Sequence, residues 1–313
     1  MYQNKLTKWL DFCRISELRN LIRYQLYKFH SVSNWLNQHI ARYHTYSLLF
    51  DGADTWVVLR TNVILKYINE FNSVSKIITD TGQFENGEIE RVIENLNEGS
   101  IFFDIGANVG IYSISVAKKF SDIHIFAFEP VPNTAQIFKE NVIKNNVSSK
   151  ILLIEEAVTN TDGFVNITMD FHSSNYITIC DSKYNCKLVR STTIDTFVKA
   201  NKIPKIDLIK IDVEGKENYV LKGAIKSIDT FKPVILVELT EQDNQKFADR
   251  ANHDYNESIQ LLLNLGYKYY IFDDHSNVFH MDCKNDGCFE RSYHNYLFYF
   301  DKINLKNDKI PKN

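Results

Sequence analysis

The sequence predicts a doubly wound α/β fold, in which a mostly parallel sheet lies between two layers of helices. Short apolar segments alternate with helical patterns from residue 101 to residue 265, as expected for βαβ units. A glycine-bearing turn follows the first of these apolar segments, at the position where such sheets bind nucleotides. The last two apolar segments, 267–272 and 296–300, have no helical pattern between them, and we therefore expect an antiparallel edge.

An N-terminal extension precedes this pattern. Its apolar and aromatic residues recur at three- and four-residue steps, so residues 1–55 are predicted to be helical. Residues 1–50 contain seven basic and two acidic side chains. This excess favours a peripheral contact with the inner face of a membrane or with another polyanion. The alternative is that amphipathic helices pack on the main domain or on a dimer partner, and the sequence leaves both open.

The remaining elements follow in a regular order, and residues 56–303 are expected to form one domain before a frayed tail at 304–313. A polar segment from about 170 to 191 interrupts the alternation and is predicted to be a lid or a binding loop. The predicted strands are 56–60, 63–68, 101–105, 124–129, 151–158, 206–212, 234–239, 267–272 and 296–300. The predicted helices are 88–97, 109–120, 133–145, 216–227 and 257–265.

The composition excludes several classes of protein. A formal net charge of −3 over 313 residues produces no global attraction to nucleic acid, and no apolar run is long enough to span a membrane. The five cysteines are an odd number without a recognisable secretory leader, which favours reduced thiols and a cytoplasmic location. Their spacings are too wide for the usual zinc knuckle.

The turn after the strand at 101–105 determines the predicted cofactor. Its glycines, Gly106 and Gly110, bring backbone amides close to a ligand, but Asn108 and Ile111 occupy positions that a dinucleotide fold gives to glycine. Asp104 would repel a phosphate, whereas its carboxylate suits the ammonium of an amino acid. The turn therefore predicts S-adenosylmethionine (SAM), held by Asp104, Gly106, Asn108 and Gly110.

Two further strand ends complete the predicted cofactor site. Glu129 lies 23 positions after Gly106, where an acidic side chain accepts hydrogen bonds from both ribose hydroxyls, and Pro130 ends that strand. Glu156 and Ala157, at the end of the third strand, are predicted to lie against the edge of the adenine.

At this point the sequence resembles the FkbM-type SAM-dependent methyltransferases, over roughly residues 82–240. The resemblance implies a class I methyltransferase fold, SAM as the cofactor, and methylation of a hydroxyl, often on sugars of surface polysaccharides or on natural products. It is carried by the ordered segments Asp104 to Gly110, Phe128-Glu129-Pro130, Thr193-Ile194-Asp195, Lys210-Ile211-Asp212-Val213-Glu214-Gly215-Lys216-Glu217, Leu221-Lys222-Gly223-Ala224 and Val237-Glu238.

The candidate catalytic residues follow the fourth parallel strand. Lys210, Asp212 and Glu214 alternate along the chain, so an extended backbone would place their side chains on one face. Methyl transfer is an in-line displacement whose acceptor must lose a proton. We expect Asp212 to lie nearest the transferred methyl and also to belong to the cofactor site. Glu214 or Glu238 would act as the base or accept a hydrogen bond from a sugar hydroxyl. Lys210 would lower the acceptor pKa or fix the carboxylates.

Simpler explanations of the same residues remain open. Lys210 and Glu214 would also form a strand-end ion pair, and Glu217 would interact with a helix dipole. Converging carboxylates also suit a divalent cation such as magnesium or calcium. His172, in the polar segment, is a further candidate for the general base.

The expected acceptor is a small molecule or glycan, with nucleotide-linked sugars as candidates. Nucleic acid is not expected, because residues 212–215 are acidic where a phosphate backbone would pass. A nicotinamide-dependent oxidoreductase and a degenerate methyltransferase fold acting as a scaffold are the rival interpretations.

Overall fold

The computed structural model describes residues 46–52, 54–68, 74–81, 84–169, 185–240, 255–273, 278–281 and 293–300. The predicted helices of residues 1–45, His172 and the tail at 304–313 lie outside them. The chain divides into two compact units, Met1–Phe84 and Glu85–Asn313.

The described part of the first unit is a small antiparallel sheet followed by a helix. The prediction of helix is wrong for residues 46–51, because Tyr46 and Leu48 alternate with more exposed neighbours and the segment pairs with the next strand. Tyr46 donates its hydroxyl proton to the carbonyl of Thr79 at 3.0 Å. The elements are β1 (Tyr46–Asp51), β2 (Asp54–Leu59), β3 (Ile64–Lys66) and α1 (Val74–Thr81).

The second unit contains an eight-stranded sheet in the order β13-β12-β14-β11-β10-β4-β5-β6. The five strands from β11 to β6 are parallel, and both neighbours of β14 are antiparallel to it. The predicted fold class, a mostly parallel sheet with an antiparallel C-terminal edge, is confirmed. The strands are β4 (Ser100–Ile105), β5 (Ile123–Phe128), β6 (Ile151–Ile154), β10 (Leu208–Ile211), β11 (Val234–Thr240), β12 (Lys268–Asp273), β13 (Val278–Met281) and β14 (Tyr293–Tyr299).

The helices begin where the sequence supplies local signals. Gly110, with φ of +89°, precedes α3, and the side chain of Thr193 caps α5 by accepting a hydrogen bond from the Thr196 amide at 3.0 Å. The helices are α2 (Asn86–Glu94), α3 (Ile111–Lys119), α4 (Pro132–Lys144), α5 (Ile194–Asn201), α6 (Glu217–Lys222), α7 (Ile225–Phe231) and α8 (Tyr255–Asn264).

A second, three-stranded sheet corrects two expectations. The predicted strand 151–158 is two strands, since the chain leaves the main sheet after Ile154, and residues 186–192 of the predicted polar loop form a strand. Alternating burial of Val165, Ile167 and Val189 on one face explains this pairing. The sheet has the order β7-β9-β8 and consists of β7 (Ala157–Val158), β8 (Gly163–Thr168) and β9 (Cys186–Thr192).

The predicted helix 216–227 is divided between α6 and α7. A Cβ at Gly223 would overlap the carbonyl oxygen of Thr159, so the glycine is needed where the helical chain passes the backbone beside β7.

The core and the cysteines complete the description. Phe103, Phe126, Phe128 and Phe197 pack in mostly edge-to-face contacts below the central strands.

Cys186 is disulfide-bonded, so the expectation of reduced thiols is wrong for this residue. Within the described residues, no helix has the length and apolar character that crossing a bilayer requires.

Candidate active site

A pocket opens at the carboxyl ends of β4, β5 and β10, the edge at which open α/β sheets bind ligands. It contains four carboxylates, and none of the described residues lining it is basic. The lining residues are Ile105, Gly106, Asn108, Phe128, Glu129, Pro130, Val131, Thr134, Glu156, Ala157, Val158, Ile167, Asp212, Val213 and Glu214.

The glycine turn after β4 is fixed by neighbouring backbone. The amides of Gly106 and Ala107 both donate to the carbonyl of Phe128, each at 3.0 Å. A Cβ at Gly106 would overlap the carbonyl oxygen of Asp212, and a Cβ at Gly110 would overlap the ring of Phe138. Both glycines also have positive φ, which explains why the turn requires them.

Glu129 is held by hydrogen bonds from two backbone amides. Its Oε2 accepts from the Asn108 amide at 3.0 Å and its Oε1 from the Val131 amide at 2.9 Å. Burial raises the pKa of Glu129 to about 7, although these two amides lower it. Each oxygen has a second lone pair, so the carboxylate still has acceptor capacity for ribose hydroxyls.

Asp104 lies deeper than the sequence implies. It is fully buried, and its Oδ2 accepts from the Ser113 hydroxyl at 2.6 Å and from the Ser113 amide at 3.2 Å. It is not among the described residues that line the pocket. Its Oδ1 is buried without a hydrogen-bond donor from the described residues. Burial raises the pKa of Asp104, and Lys210 lowers it.

Glu156 and Ala157 line the pocket together with Pro130. Glu156 Oε1 lies 3.2 Å from Nε of Arg190 on β9, whose side chain is 74% exposed. This ion pair links the small sheet to the pocket. An exposed pair of this kind contributes little to stability, but it limits the directions that the Glu156 side chain adopts.

Lys210, which is not among the described lining residues, forms an ion pair with Asp212, which is one of them. Lys210 Nζ lies 2.9 Å from Oδ2 of Asp212 and 3.5 Å from the carbonyl oxygen of Gly106, and it lies over the ring of Tyr112 at 4.9 Å. The partner of Lys210 is therefore Asp212 rather than Glu214. Burial lowers the pKa of Lys210, but the charges of Asp212 and Asp104 raise it by more.

The predicted strand alternation ends before Glu214. Strand β10 ends at Ile211, and Glu214 and Gly215 have positive φ values of 56° and 88°. Glu214 reaches the pocket from a tight loop rather than from a strand, so the three charged residues do not share a strand face.

Glu217 closes this loop, a contact that sequence reasoning did not find. Its Oε1 accepts from the amides of Val213 and Gly215 at 3.0 and 3.1 Å. Burial raises the pKa of Glu217 to about 7, against the lowering effect of backbone hydrogen bonds. The spacing of Glu217 after Asp212 was the available signal, but it supported only an interaction with the helix dipole.

Glu238, on β11, faces the charges of Asp212, Glu214 and Glu85 but is not among the described lining residues. Burial, followed by those charges, raises the pKa of Glu238 well above its ordinary value. Beside it, the Tyr112 hydroxyl donates to Glu85 Oε2 at 2.7 Å. Glu85 and Tyr112 belong to no sequence motif, so the contact between them could not be predicted from the sequence.

The methyltransferase FkbM domain matches residues 104–269, more than half of the chain. This chain belongs to the FkbM methyltransferase family.

Two curated methyltransferases are similar to this FkbM methyltransferase. The hexuronic acid methyltransferase AglP of Haloferax volcanii is 25% identical over 152 residues, 49% of this chain and 61% of AglP. Methyltransferase sdnD of Sordaria araneosa is 25% identical over 162 residues, 42% of this chain and 62% of sdnD. The chain thus matches about three fifths of the length of these curated relatives. The crystal structure of an FkbM methyltransferase from Methylobacillus flagellatus is 17% identical and has a TM-score of 0.42, with 66% of this chain and 44% of that chain covered.

The family assignment implies SAM as the cofactor, and the described residues fit it. Glycines at close backbone approaches and an acidic pocket suit a cationic nucleoside. The divalent cation has no support, because the described parts of this FkbM methyltransferase contain no group of three or more His, Cys, Asp or Glu placed to bind a metal. His172 lies outside the described residues, so its role stays a prediction.

Proposed function

We propose that this FkbM methyltransferase transfers a methyl group from SAM to a hydroxyl oxygen of a sugar or glycan precursor. The observation that carries the proposal is the pocket itself, with four carboxylates facing a glycine turn and no basic side chain among its described lining residues. Such a pocket attracts a ligand carrying an ammonium and a sulfonium and repels a pyrophosphate.

Several residues would hold the cofactor. Glu129 would accept from the ribose hydroxyls, while Gly106, Asn108 and Gly110 shape the turn against which the ligand lies. Glu156 and Ala157 would lie against the adenine, with Pro130 between these groups. The buried Oδ1 of Asp104 lacks a donor from the described residues, which supports an ammonium or a bridging water as its partner. Bound SAM supplies the electrophilic methyl group.

The remaining polar residues would serve the acceptor. Asp212, held by Lys210, is the carboxylate that we place nearest the transferred methyl. Glu238 would take the hydroxyl proton, since burial and then the neighbouring negative charges raise its pKa and make its carboxylate a stronger base. Glu214 would accept a hydrogen bond from a further hydroxyl of the acceptor. The similarity to AglP, a hexuronic acid methyltransferase, supports a sugar as the acceptor.

Residues 1–50 lead to a second part of the proposal. Their seven basic residues against two acidic ones support peripheral attachment to an anionic membrane, or contact within an oligomer.

Nucleotide-linked sugars are the first acceptors to test.

Binding is the first experiment. SAM and its demethylated product should raise the melting temperature, whereas NAD and NADP should not. If neither SAM nor its product binds in isothermal titration, the proposal fails in favour of a scaffold module.

Turnover is the second experiment. Radiolabelled SAM is offered with a panel of nucleotide-linked sugars, and transfer to one hydroxyl is expected. Asp212→Ala should abolish transfer while SAM binding is retained. Full turnover by that variant would show that the catalytic assignment is wrong.

A further inference from the structure

The loop that brings Asp212, Val213 and Glu214 to the pocket has an unfavourable backbone. Glu214 and Gly215 both have positive φ, and Glu214 is not a glycine. A left-handed conformation at a residue with a side chain costs free energy and persists only where surrounding contacts hold it. The structure must therefore contain contacts that fix this loop.

The entrance to the loop is fixed by the central sheet. The Asp212 amide donates to the carbonyl of Ile105 at 3.1 Å, and the Asp212 carbonyl lies against Gly106. The Asp212 side chain is paired with Lys210. These contacts fix residue 212 but do not reach Glu214.

The exit from the loop is fixed by Glu217. A single oxygen, Oε1, accepts from the amides of Val213 and Gly215, which lie on either side of Glu214. Glu217 is 2% exposed and is not among the described residues lining the pocket. Its hydrogen bonds to the loop are made to the backbone on either side of Glu214, and its charge also acts on Asp212.

We infer that Glu217 is a positioning residue, whose carboxylate holds the 213–215 backbone so that Asp212 and Glu214 face the cofactor and the acceptor. The inference rests on the proposed function in assigning roles to Asp212 and Glu214. The backbone contact itself does not depend on it. A loop displaced by about 1 Å would misalign the reacting groups and lower turnover by about 100-fold.

Three variants distinguish the hydrogen-bond-accepting oxygen of Glu217 from its negative charge and from a general effect on stability. Glu217→Ala removes the acceptor, while Glu217→Gln keeps an oxygen that accepts from both amides. Glu257→Ala is the matched control. Glu257, on α8, pairs at 2.9 Å with Lys222, which lies on the same helix as Glu217, but it does not touch the loop.

The first measurement needs no cofactor. Amide hydrogen exchange, resolved to single residues in the full chain, should be at least 10-fold faster at Val213 and Gly215 in Glu217→Ala. Exchange in β10 should be unchanged, and Glu217→Gln and Glu257→Ala should match the wild type. Unchanged exchange at both amides of Glu217→Ala would overturn the inference. If Glu217→Ala does not fold, Glu217→Asp takes its place, because the shorter side chain withdraws the oxygen by one methylene. Exchange at the Val213 and Gly215 amides should then be faster than in the wild type, and unchanged exchange would overturn the inference.

The second measurement is kinetic. Glu217→Ala should lose about 100-fold in kcat with a smaller change in KM, and Glu217→Gln should recover most of the loss. A purely structural role would lower the melting temperature and leave kcat of the folded protein unchanged, which would also overturn the inference. If the wild type binds no SAM, the proposed function fails, and the exchange result alone decides the role of Glu217.

Discussion

The glycine turn after β4 and the loop after β10 are in direct backbone contact, since a Cβ on Gly106 would overlap the carbonyl oxygen of Asp212. Gly106→Ala should therefore push the two segments apart. We expect the free energy of unfolding to fall by about 2–4 kcal/mol and SAM affinity to fall at least 10-fold, measured by urea unfolding and calorimetric titration.

Gly52→Ala is the matched control for this substitution. Gly52 has a φ of +62°, close to the +76° of Gly106, but nothing lies within 4 Å of its added Cβ. The control isolates the backbone strain, expected to be about 1–2 kcal/mol, from the overlap. Equal losses in the two variants would show that the contact with Asp212 is unimportant.

SAM binding should depend on pH through Glu129. Its pKa is raised to about 7, so the carboxylate is increasingly ionised as the pH rises through 7 and then accepts more strongly from ribose hydroxyls. The charged groups that act on it are Lys210 and Asp104. We expect about 3- to 10-fold tighter binding at pH 8 than at pH 6, measured by calorimetry. In Glu129→Gln this dependence should disappear and binding should be weak at both values.

The stability of the protein should depend on pH through Glu217. Because its folded pKa, about 7, exceeds the ordinary value of 4.5, the folded state binds its proton more tightly than the unfolded state. Stability is then lost as the pH rises from about 4.5 to 7, with Asp212 and Glu238 as the neighbouring charges. The side chain in Glu217→Gln does not ionise, so this variant does not lose stability in this way. Its advantage in free energy of unfolding over the wild type should grow by roughly 1–3 kcal/mol between pH 5 and pH 8. A constant difference across this range would contradict the assignment.

Lys210 should be required for the stability of the site. It is buried between Asp104 and Asp212, so Lys210→Met leaves their negative charges uncompensated. We expect a loss of about 2–4 kcal/mol at pH 8 and a smaller loss at pH 5, because burial raises the pKa of Asp104 and its carboxylate takes up a proton more easily there. Lys210→Arg keeps the charge and should recover part of the loss. Equal stability of Lys210→Met and the wild type at pH 8 would contradict this role.

Local signals allowed much of the cofactor side to be predicted. The glycine turn and Glu129 follow buried strands within one βαβ unit, and the parallel sheet brings such strand ends together. The fold class followed from the same alternation. The depth of Asp104 was not predictable, because its bond to Ser113 depends on how α3 packs on the sheet.

The acceptor side was less predictable, because its contacts join distant segments. Tyr112 donates to Glu85 across 27 positions, and Asn295, the β14 partner of Glu238, donates to Glu88 at 2.5 Å across 207 positions. The left-handed backbone at Glu214 also contradicts the alternation expected for a strand. None of these contacts produces a periodic pattern, so only the folded chain reveals them.

The position of β14 has a consequence for folding and for truncated forms of the protein. This strand, near the end of the chain, lies between β11 and β12, yet the family domain match ends at residue 269. A protein shortened to that match would lose β14, which pairs with β11 at Val237 and Glu238. During synthesis, the sheet edge that carries Glu238 likewise stays open until residues 293–299 have left the ribosome. A family boundary drawn from sequence is therefore not the boundary of the unit that folds.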